Sequence, residues 1–202
     1  MKLFNFLSRL KKTKQLVRMT IVGDGAVGKT TLVQAMLRRT SNHTNNTSLD
    51  YILDDKKITR TPFMEIETWT YGDLRFQCYD LAGQRIPGGH PLDLLQGQVI
   101  SSIDIYIFVF SIDRYESFEN LNNWIQLMDL ETKSKNGSKG FILVGNKIDL
   151  ERNVSHELIH SVVGSNRYFQ TYVETCSLDG IGIDSLLNEI ASMGKKLLSV
   201  ND

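Results

Sequence analysis

Short apolar runs alternate with amphipathic stretches along the chain, and this alternation predicts its secondary structure. Strand-like runs rich in apolar and β-branched residues occupy six segments: 16–22, 63–71, 74–80, 103–111, 140–146 and 168–174. Helix-like stretches lie between them, at 28–39, 116–131, 155–163 and 183–198. The tripeptide YGD at 71–73 predicts a hairpin turn between the second and third strands.

Some predicted strands, such as IYIFVF at 105–110, are apolar at every position, which is typical of a sheet covered by helices on both faces. We therefore predict a three-layer α/β fold with a mostly parallel six-stranded sheet and one antiparallel hairpin at its edge. Two stretches break the alternation. Residues 40–60 are polar, rich in asparagine and longer than a connection needs, and residues 85–97 hold two of the three prolines, so both are predicted to be irregular.

The composition limits the classes of function. The 202 residues most simply form one domain, and the balance of 23 basic and 23 acidic residues argues against a nucleic-acid-binding protein. Cys78 and Cys176 are too few for a disulfide framework, which predicts a reducing, cytoplasmic setting. No apolar run is long enough to span a bilayer, so any membrane contact is expected to be peripheral.

The stretch GDGAVGKT at 23–30 matches the phosphate-binding pattern G-x-x-x-x-G-K-[ST]. It follows the first predicted strand and opens the first predicted helix, where backbone N–H groups and the helix dipole attract phosphate. Lys29 is expected to neutralise charge on the β- and γ-phosphates, and the Thr30 hydroxyl to ligate Mg²⁺. The predicted phosphate-binding residues are Asp24, Gly25, Ala26, Val27, Gly28, Lys29, Thr30, Thr31 and Gly83.

The stretch NKID at 146–149 predicts that the base is guanine. It follows the predicted strand 140–146, at the strand ends where open α/β sheets bind ligands. The Asp149 carboxylate can accept hydrogen bonds from guanine N1–H and N2–H₂, which adenine lacks. Asn146 can hold the loop and the base, and the stem of Lys147 can lie across the ring. TCSL at 175–178 follows the last strand, and its Cys176, Ser177 and Leu178 are predicted to close over the guanine.

The stretch DLAGQ at 80–84 provides groups for the terminal phosphate. Asp80 ends a predicted strand and can hold Mg²⁺ through water. The Gly83 N–H can donate to the γ-phosphate, and Gln84 is placed to orient an attacking water. These residues predict hydrolysis in addition to binding.

In this order the motifs resemble those of the Ras superfamily of small GTPases, over roughly residues 16–198. SFEN at 117–120 and YVETCS at 172–177 are further similarities. Residues 61–84 look most like the Arf branch, whereas the GQ and SFEN regions are closer to Ras and Rab, so the branch stays open. The resemblance implies a small GTPase G domain over 16–202 that binds GTP and GDP with Mg²⁺.

The resemblance also implies a working cycle and its partners. Such proteins hydrolyse GTP slowly alone and are controlled by an exchange factor, an activating protein and effectors. By its spacing before Asp80, Thr61 is the match to the switch I threonine that reaches Mg²⁺ and the γ-phosphate only in the GTP state, with Thr59 and Thr47 as alternatives. The catalytic set implied is Gln84, Lys29 and Thr61, and the metal set is Thr30, Thr61 and Asp80.

Two other functions compete with the switch. Pro62 directly after Thr61, together with the proline- and glycine-rich stretch 85–97, departs from the family pattern and favours a GTP-binding scaffold that does not hydrolyse. HELIH at 156–160 has the H-E-x-x-H form of a zinc peptidase helix. However, it follows NKID, no nearby third histidine completes a metal site, and Ser155 is a natural N-cap, so HELIH predicts the capped start of a surface helix.

The first 15 residues are predicted to be a separate basic, amphipathic segment. In MKLFNFLSRLKK, helical spacing groups the leucines and phenylalanines on one face, opposite Lys2, Arg9 and Lys12. Such a helix suits the interface of an anionic membrane and is similar to the N-terminal helix of Arf-like proteins. Peripheral membrane contact through residues 2–12 is therefore predicted, and the alternative is a helix packed on its own domain.

Overall fold

The computed structural model describes residues 14–41, 64–83, 101–128, 139–165 and 168–200. Its strands are β1 (Gln15–Val22), β2 (Met64–Tyr71), β3 (Leu74–Leu81), β4 (Ile105–Ser111), β5 (Gly140–Asn146) and β6 (Thr171–Thr175). Its helices are α1 (Lys29–Ser41), α2 (Tyr115–Glu119), α3 (Leu121–Leu127), α4 (His156–Ser165) and α5 (Ile183–Val200). Residues 1–13 lie outside the described residues, so the N-terminal segment and its boundary at residue 16 stay predictions.

The six strands form one sheet in the order β2-β3-β1-β4-β5-β6. Neighbours from β3 to β6 pair in parallel, and β2 pairs with β3 antiparallel. The predicted hairpin turn is confirmed, since Tyr71 pairs with Leu74 and Gly72 adopts a φ of +58°. The predicted fold class, a mostly parallel sheet with one antiparallel edge hairpin, is therefore confirmed.

Helices cover both faces of this sheet and enclose two apolar cores. On one face, α1 and α5 pack against side chains that include Met19 of β1 and Ile107 of β4. On the other face, α2, α3 and α4 pack against Tyr106, Phe108 and neighbouring side chains. Every residue of β4 and β5 is buried, as their uninterrupted apolar runs predict. The carboxyl ends of five parallel strands consequently meet at one edge of the sheet.

Several predicted boundaries differ from the structure, and polar residues explain three of the differences. The predicted helix 116–131 is two helices, because Asn120 between them has a ψ of −8°, whereas an α-helix needs about −42°. β4 begins two residues late because the Asp104 carboxylate accepts the Arg18 N–H at 2.8 Å. β6 begins three residues late because the Gln170 side chain accepts the Phe141 N–H. Residues 129–131 of the predicted helix lie outside the described residues.

Candidate functional site

The sequence-predicted site residues that the structure describes meet at the carboxyl ends of the strands. The phosphate-loop residues 23–28 connect β1 to α1. Asp80 is the last but one residue of β3, and Asn146 is the last residue of β5. Cys176, Ser177 and Leu178 follow β6. Thr61 and Gln84 lie outside the described residues, as do the alternatives Thr47 and Thr59, so their roles stay predictions.

Unusual backbone angles shape the loop between β1 and α1. Gly28 has a φ of +94°, and Ala26, which carries a side chain, has a φ of +61°. A Cβ at position 28 would lie 2.4 Å from Asn146 Nδ2, so glycine is also required there for space. Left-handed residues of this kind turn successive N–H groups toward one point, which makes a concave surface for an anion.

Lys29 is anchored at the centre of this loop. Its Nζ donates to the carbonyl oxygens of Gly23 and Asp24, both at 2.9 Å, and only 7% of the residue is exposed. Burial lowers the pKa of Lys29 to about 8, while the carboxylates of Asp80 and Asp24 act in the opposite direction. An anion beside this ammonium would favour its charged form, so the site is electrostatically suited to phosphate.

Thr30 and Asp80 bring two oxygen ligands together beside Lys29. Thr30 Oγ1 donates to Asp80 Oδ2 at 2.6 Å, and Asp80 is 1% exposed. A hydroxyl and a carboxylate are the chemistry that Mg²⁺ prefers, and Mg²⁺ takes its remaining ligands from water and phosphate. The described residues contain no group of three or more His, Cys, Asp or Glu that could hold a metal ion by themselves. The pair therefore fits a magnesium ion that arrives with a phosphate ligand.

The backbone of Gly83 lies against the same loop. A Cβ at position 83 would meet Lys29 Nζ at 2.3 Å and the carbonyl oxygen of Asp24 at 2.6 Å. Only glycine allows this approach. The Gly83 peptide is thereby brought next to the lysine that is expected to bind the terminal phosphates.

The Asn146 side chain joins the phosphate loop to the segment after β6. Its Nδ2 donates to the carbonyl oxygen of Val27 at 2.9 Å. Its Oδ1 accepts hydrogen bonds from Thr175 Oγ1 at 3.0 Å and from the N–H and hydroxyl of Ser177 at 3.2 and 2.8 Å. The residue is 1% exposed, so these four bonds satisfy a buried amide.

The predicted base-binding residues surround this junction. Lys147 has a φ of +67°, and the next N–H, that of Ile148, donates to the carbonyl oxygen of Thr175 at 3.2 Å. Asp149 is exposed, whereas Cys176 is buried and its N–H donates to the carbonyl oxygen of Ile181 at 3.1 Å. Leu178 is 68% exposed. The sharp turn at Lys147 leaves the Asp149 carboxylate accessible to a ligand.

Sequence reasoning missed three side chains that hold the phosphate loop from the other side of the sheet. Arg114 Nη2 donates to the Gly25 carbonyl oxygen, and Asn120 and Trp124 both donate to the Asp24 carboxylate. Trp124 is buried in the core, and its indole N–H also makes this bond. The similarity of SFEN at 117–120 to the family, which includes Asn120, was the one feature of the sequence that could have indicated their role.

HELIH forms the start of α4. Ser155 caps the helix, since its Oγ accepts the Leu158 N–H at 3.2 Å. His156 Nδ1 lies 3.6 Å from Glu174 Oε1, and the His160 ring is 6.4 Å from that of Tyr172. The described residues around α4 include no group of three or more His, Cys, Asp or Glu that could hold a metal ion. The predicted N-cap is confirmed.

Comparison with known proteins agrees with this geometry. A sequence model of the Ras family matches residues 18–196. The chain belongs to the Ras family. Membership confirms the resemblance to small GTPases, and with it the general class of P-loop proteins that bind and hydrolyse GTP.

Several relatives of this Ras-family chain carry Rab names. Ras-related protein Rab-28 of Caenorhabditis elegans is 28% identical over 169 residues, which is 83% of this chain and 63% of that protein. Ras-related protein Rab7 of Prunus armeniaca is 28% identical over 188 residues, covering 89% of this chain and 82% of the relative. Ypt/Rab-type GTPase ypt7 of Schizosaccharomyces pombe is 23% identical over 203 residues, which is 95% of this chain and 88% of that protein. The chain thus spans less than two thirds of the Caenorhabditis relative. Within the described part of the chain, no helix is both long and apolar enough to cross a membrane.

Proposed function

We propose that this protein is a molecular switch that binds GTP, hydrolyses it to GDP and changes partners between the two states. The observation that carries the proposal is the Asn146 amide, which bonds the phosphate loop at Val27 and the segment after β6 at Ser177. One buried side chain therefore fixes the distance between a loop suited to phosphate and a loop suited to a base. A nucleotide is the ligand class that needs both.

Guanine is proposed to bind beside Asn146. The exposed Asp149 carboxylate would accept hydrogen bonds from N1–H and N2–H₂, and the Lys147 stem would lie across the ring. Cys176, Ser177 and Leu178 would close over the base through their backbone. Support comes from the hydrogen bonds that hold Ser177 to Asn146, because they place this segment next to NKID.

The phosphates are proposed to bind the N–H groups of residues 24–31, with Lys29 between the β- and γ-phosphates. The oxygen pair of Thr30 and Asp80, 2.6 Å apart, supports a magnesium site there, with Thr61 joining it in the GTP state. Bound Mg²⁺ would neutralise charge on the phosphate oxygens. Gly83, whose backbone packs against Lys29, would donate its N–H to the γ-phosphate.

Hydrolysis is proposed to proceed by in-line attack of a water that Gln84 orients. The Lys29 ammonium and the loop N–H groups would stabilise the charge that develops on the transferred phosphoryl group. When the γ-phosphate leaves, Thr61 and Gly83 lose their contacts and the segments that carry them relax. We expect a slow intrinsic rate and acceleration by an activating protein.

The partners proposed are those of a regulated switch. They are an exchange factor, an activating protein and effectors, and the Rab names of the relatives support a role in membrane trafficking. Residues 2–12 are proposed to contact a membrane surface from the cytoplasmic side through their amphipathic pattern. Deleting 2–12 should therefore reduce co-sedimentation with anionic liposomes, and unchanged co-sedimentation would remove this part of the proposal.

The central test is identification of the nucleotide that purifies with the full chain, followed by timed phosphate release from GTP with Mg²⁺. We expect stoichiometric GDP or GTP and slow release that Gln84→Leu abolishes. Gln126→Leu, at an exposed position on α3, is the matched control and should hydrolyse like the wild type.

Each alternative gives a different result. Absence of bound and bindable guanine nucleotide contradicts the proposal as a whole. Equal phosphate release by the wild type and Gln84→Leu contradicts the catalytic assignment alone. Tightly held GTP without turnover, even when cell extract supplies activating proteins, favours the non-hydrolysing scaffold.

A further inference from the structure

The carboxylate of Asp24, in the phosphate loop, is held by residues at the start of α3. Trp124 Nε1 donates to Asp24 Oδ1 at 2.7 Å, and Asn120 Nδ2 donates to Asp24 Oδ2 at 2.9 Å. Asn123 Nδ2 donates to Asn120 Oδ1 at 3.2 Å, which orients the Asn120 amide with its N–H₂ group toward Asp24. Hydrogen bonds from N–H donors to an ionised carboxylate are among the stronger ones in proteins, and burial of Trp124 shields this one from water.

A second set of hydrogen bonds, called the Arg114 arm, holds Gly25, the next residue of the phosphate loop. Arg114 Nη2 donates to the Gly25 carbonyl oxygen at 2.8 Å. Ser117 fixes the segment that carries Arg114, because its hydroxyl accepts the Ser111 N–H at 3.0 Å and donates to the Arg114 carbonyl oxygen at 2.7 Å. The arm is therefore anchored to the end of β4 and moves with the sheet.

The peptide of Asp24 contacts two groups that are proposed to bind the phosphates. Its carbonyl oxygen accepts a hydrogen bond from Lys29 Nζ at 2.9 Å. The Gly83 backbone packs on the same carbonyl, since a Cβ there would come within 2.6 Å of it. Any displacement of Asp24 would therefore displace the surface on which both Lys29 and Gly83 are placed.

We infer that Asp24, Asn120, Trp124 and Arg114 are positioning residues that hold the γ-phosphate side of the phosphate loop and thereby slow the release of bound nucleotide. The inference rests on the proposed function, because it concerns the same nucleotide site. These residues act through the loop. A loop that is already fixed loses little conformational freedom when a ligand binds, whereas a loosened loop must be ordered each time.

The decisive experiment exchanges the amide and the carboxylate. The full chain is loaded with a fluorescent GDP analogue, and its release is timed in excess GDP and Mg²⁺ for Asp24→Asn, Asn120→Asp and the double variant. In Asp24→Asn the side chain keeps one acceptor oxygen for its two donors, and in Asn120→Asp two carboxylates face each other. We expect release at least tenfold faster in each single variant, which is about 1.4 kcal/mol. In the double variant, the amide at 24 can accept the Trp124 N–H and donate to the carboxylate at 120, so release should return to within about threefold of the wild type.

These variants distinguish an effect of loop positioning on GDP release from an effect of charge near the phosphates. Asp24→Asn removes a negative charge and Asn120→Asp adds one, so a field effect on the phosphates would drive the two release rates in opposite directions. Faster release in both single variants with rescue in the double variant supports the network. Opposite shifts, unchanged rates or a double variant as fast as the single variants overturn it.

A tryptophan pair provides the second test. Trp124→Phe removes the donor to Asp24, and we expect release about tenfold faster. Trp69→Phe is the matched control, because Trp69 is also buried but its Nε1 has no hydrogen-bond partner among the described residues. Equal release rates in the two variants contradict the inference. A wild-type chain that retains no GDP overturns the proposed function and this inference together. A wild type that retains GDP, with variants that release it at the same rate, overturns the inference alone.

Discussion

Replacing Gly28 with alanine tests the contact between the phosphate loop and the base-side loop. A Cβ at this position would lie 2.4 Å from Asn146 Nδ2, closer than real Cβ atoms approach. The Asn146 amide must therefore move, and it then loses its 2.9 Å bond to the Val27 carbonyl oxygen. Gly72→Ala is the matched control, because Gly72 also has a positive φ, at +58°, but a Cβ there meets nothing within 4 Å.

The magnitude follows from these contacts. A left-handed backbone costs an alanine about 1–2 kcal/mol, and this contribution applies to both variants. At Gly28 the displaced Asn146 amide also loses two or more hydrogen bonds, at about 1 kcal/mol each. We expect the free energy of unfolding to fall by about 3–4 kcal/mol in Gly28→Ala, a large share of the roughly 5–15 kcal/mol typical of a domain. Gly72→Ala should lose about 1–2 kcal/mol.

Two measurements check this prediction on the full chain. Urea unfolding followed by circular dichroism gives the stability, and titration with GDP gives the affinity. We expect the Kd for GDP to rise at least about 100-fold in Gly28→Ala, equivalent to about 2.7 kcal/mol, and to stay near the wild-type value in Gly72→Ala. Equal losses of stability in the two variants, or unchanged GDP affinity in Gly28→Ala, would refute the reasoning.

Three further predictions concern single groups of the site. The pKa of Lys29, about 8 in the free site, should rise beside phosphate, so calorimetry near that pH should show proton uptake on GDP binding. The affinity for GDP should fall as the pH rises above about 8. An affinity independent of pH between about 7 and 9 would contradict this. Asp149→Asn should weaken GDP binding about 100-fold and improve binding of xanthosine diphosphate, because the 2-oxo group of xanthine accepts a hydrogen bond from an amide. An unchanged base preference would show that Asp149 does not contact the base. Thr30→Ala should remove most of the acceleration of GDP release by EDTA, while Thr68→Ala, at an exposed site on β2, should keep it.

The sheet and the long helices could be predicted because their signals are local. β4 and β5 are buried along their whole length, and their apolar runs are uninterrupted. The apolar residues of α5, such as Leu186 and Ile190, recur at helical spacing and are buried. The break at Asn120 could not be predicted, because asparagine is tolerated in a helix and its backbone there depends on neighbours distant in sequence.

The same distinction applies to the site. The phosphate loop and NKID are short motifs whose chemistry depends on adjacent residues, so their placement at strand ends could be predicted. The bond between Asp24 and Trp124 joins residues 100 positions apart and depends on how α3 lies across the sheet. A buried indole N–H usually needs an acceptor, but nothing local identifies which one. Thr61 and Gln84 lie outside the described residues, and their roles stay predictions.

The bridge made by Asn146 also bears on how much of this protein a cell contains. A ligand that occupies both bridged loops stabilises only the folded chain, by about 4 kcal/mol when its concentration is about 1,000 times its Kd. A substitution that weakens binding loses this contribution, and the fraction of chain open to proteases increases. We therefore expect site variants to accumulate to lower levels, so that a weak phenotype in cells can reflect shortage of protein as much as loss of hydrolysis.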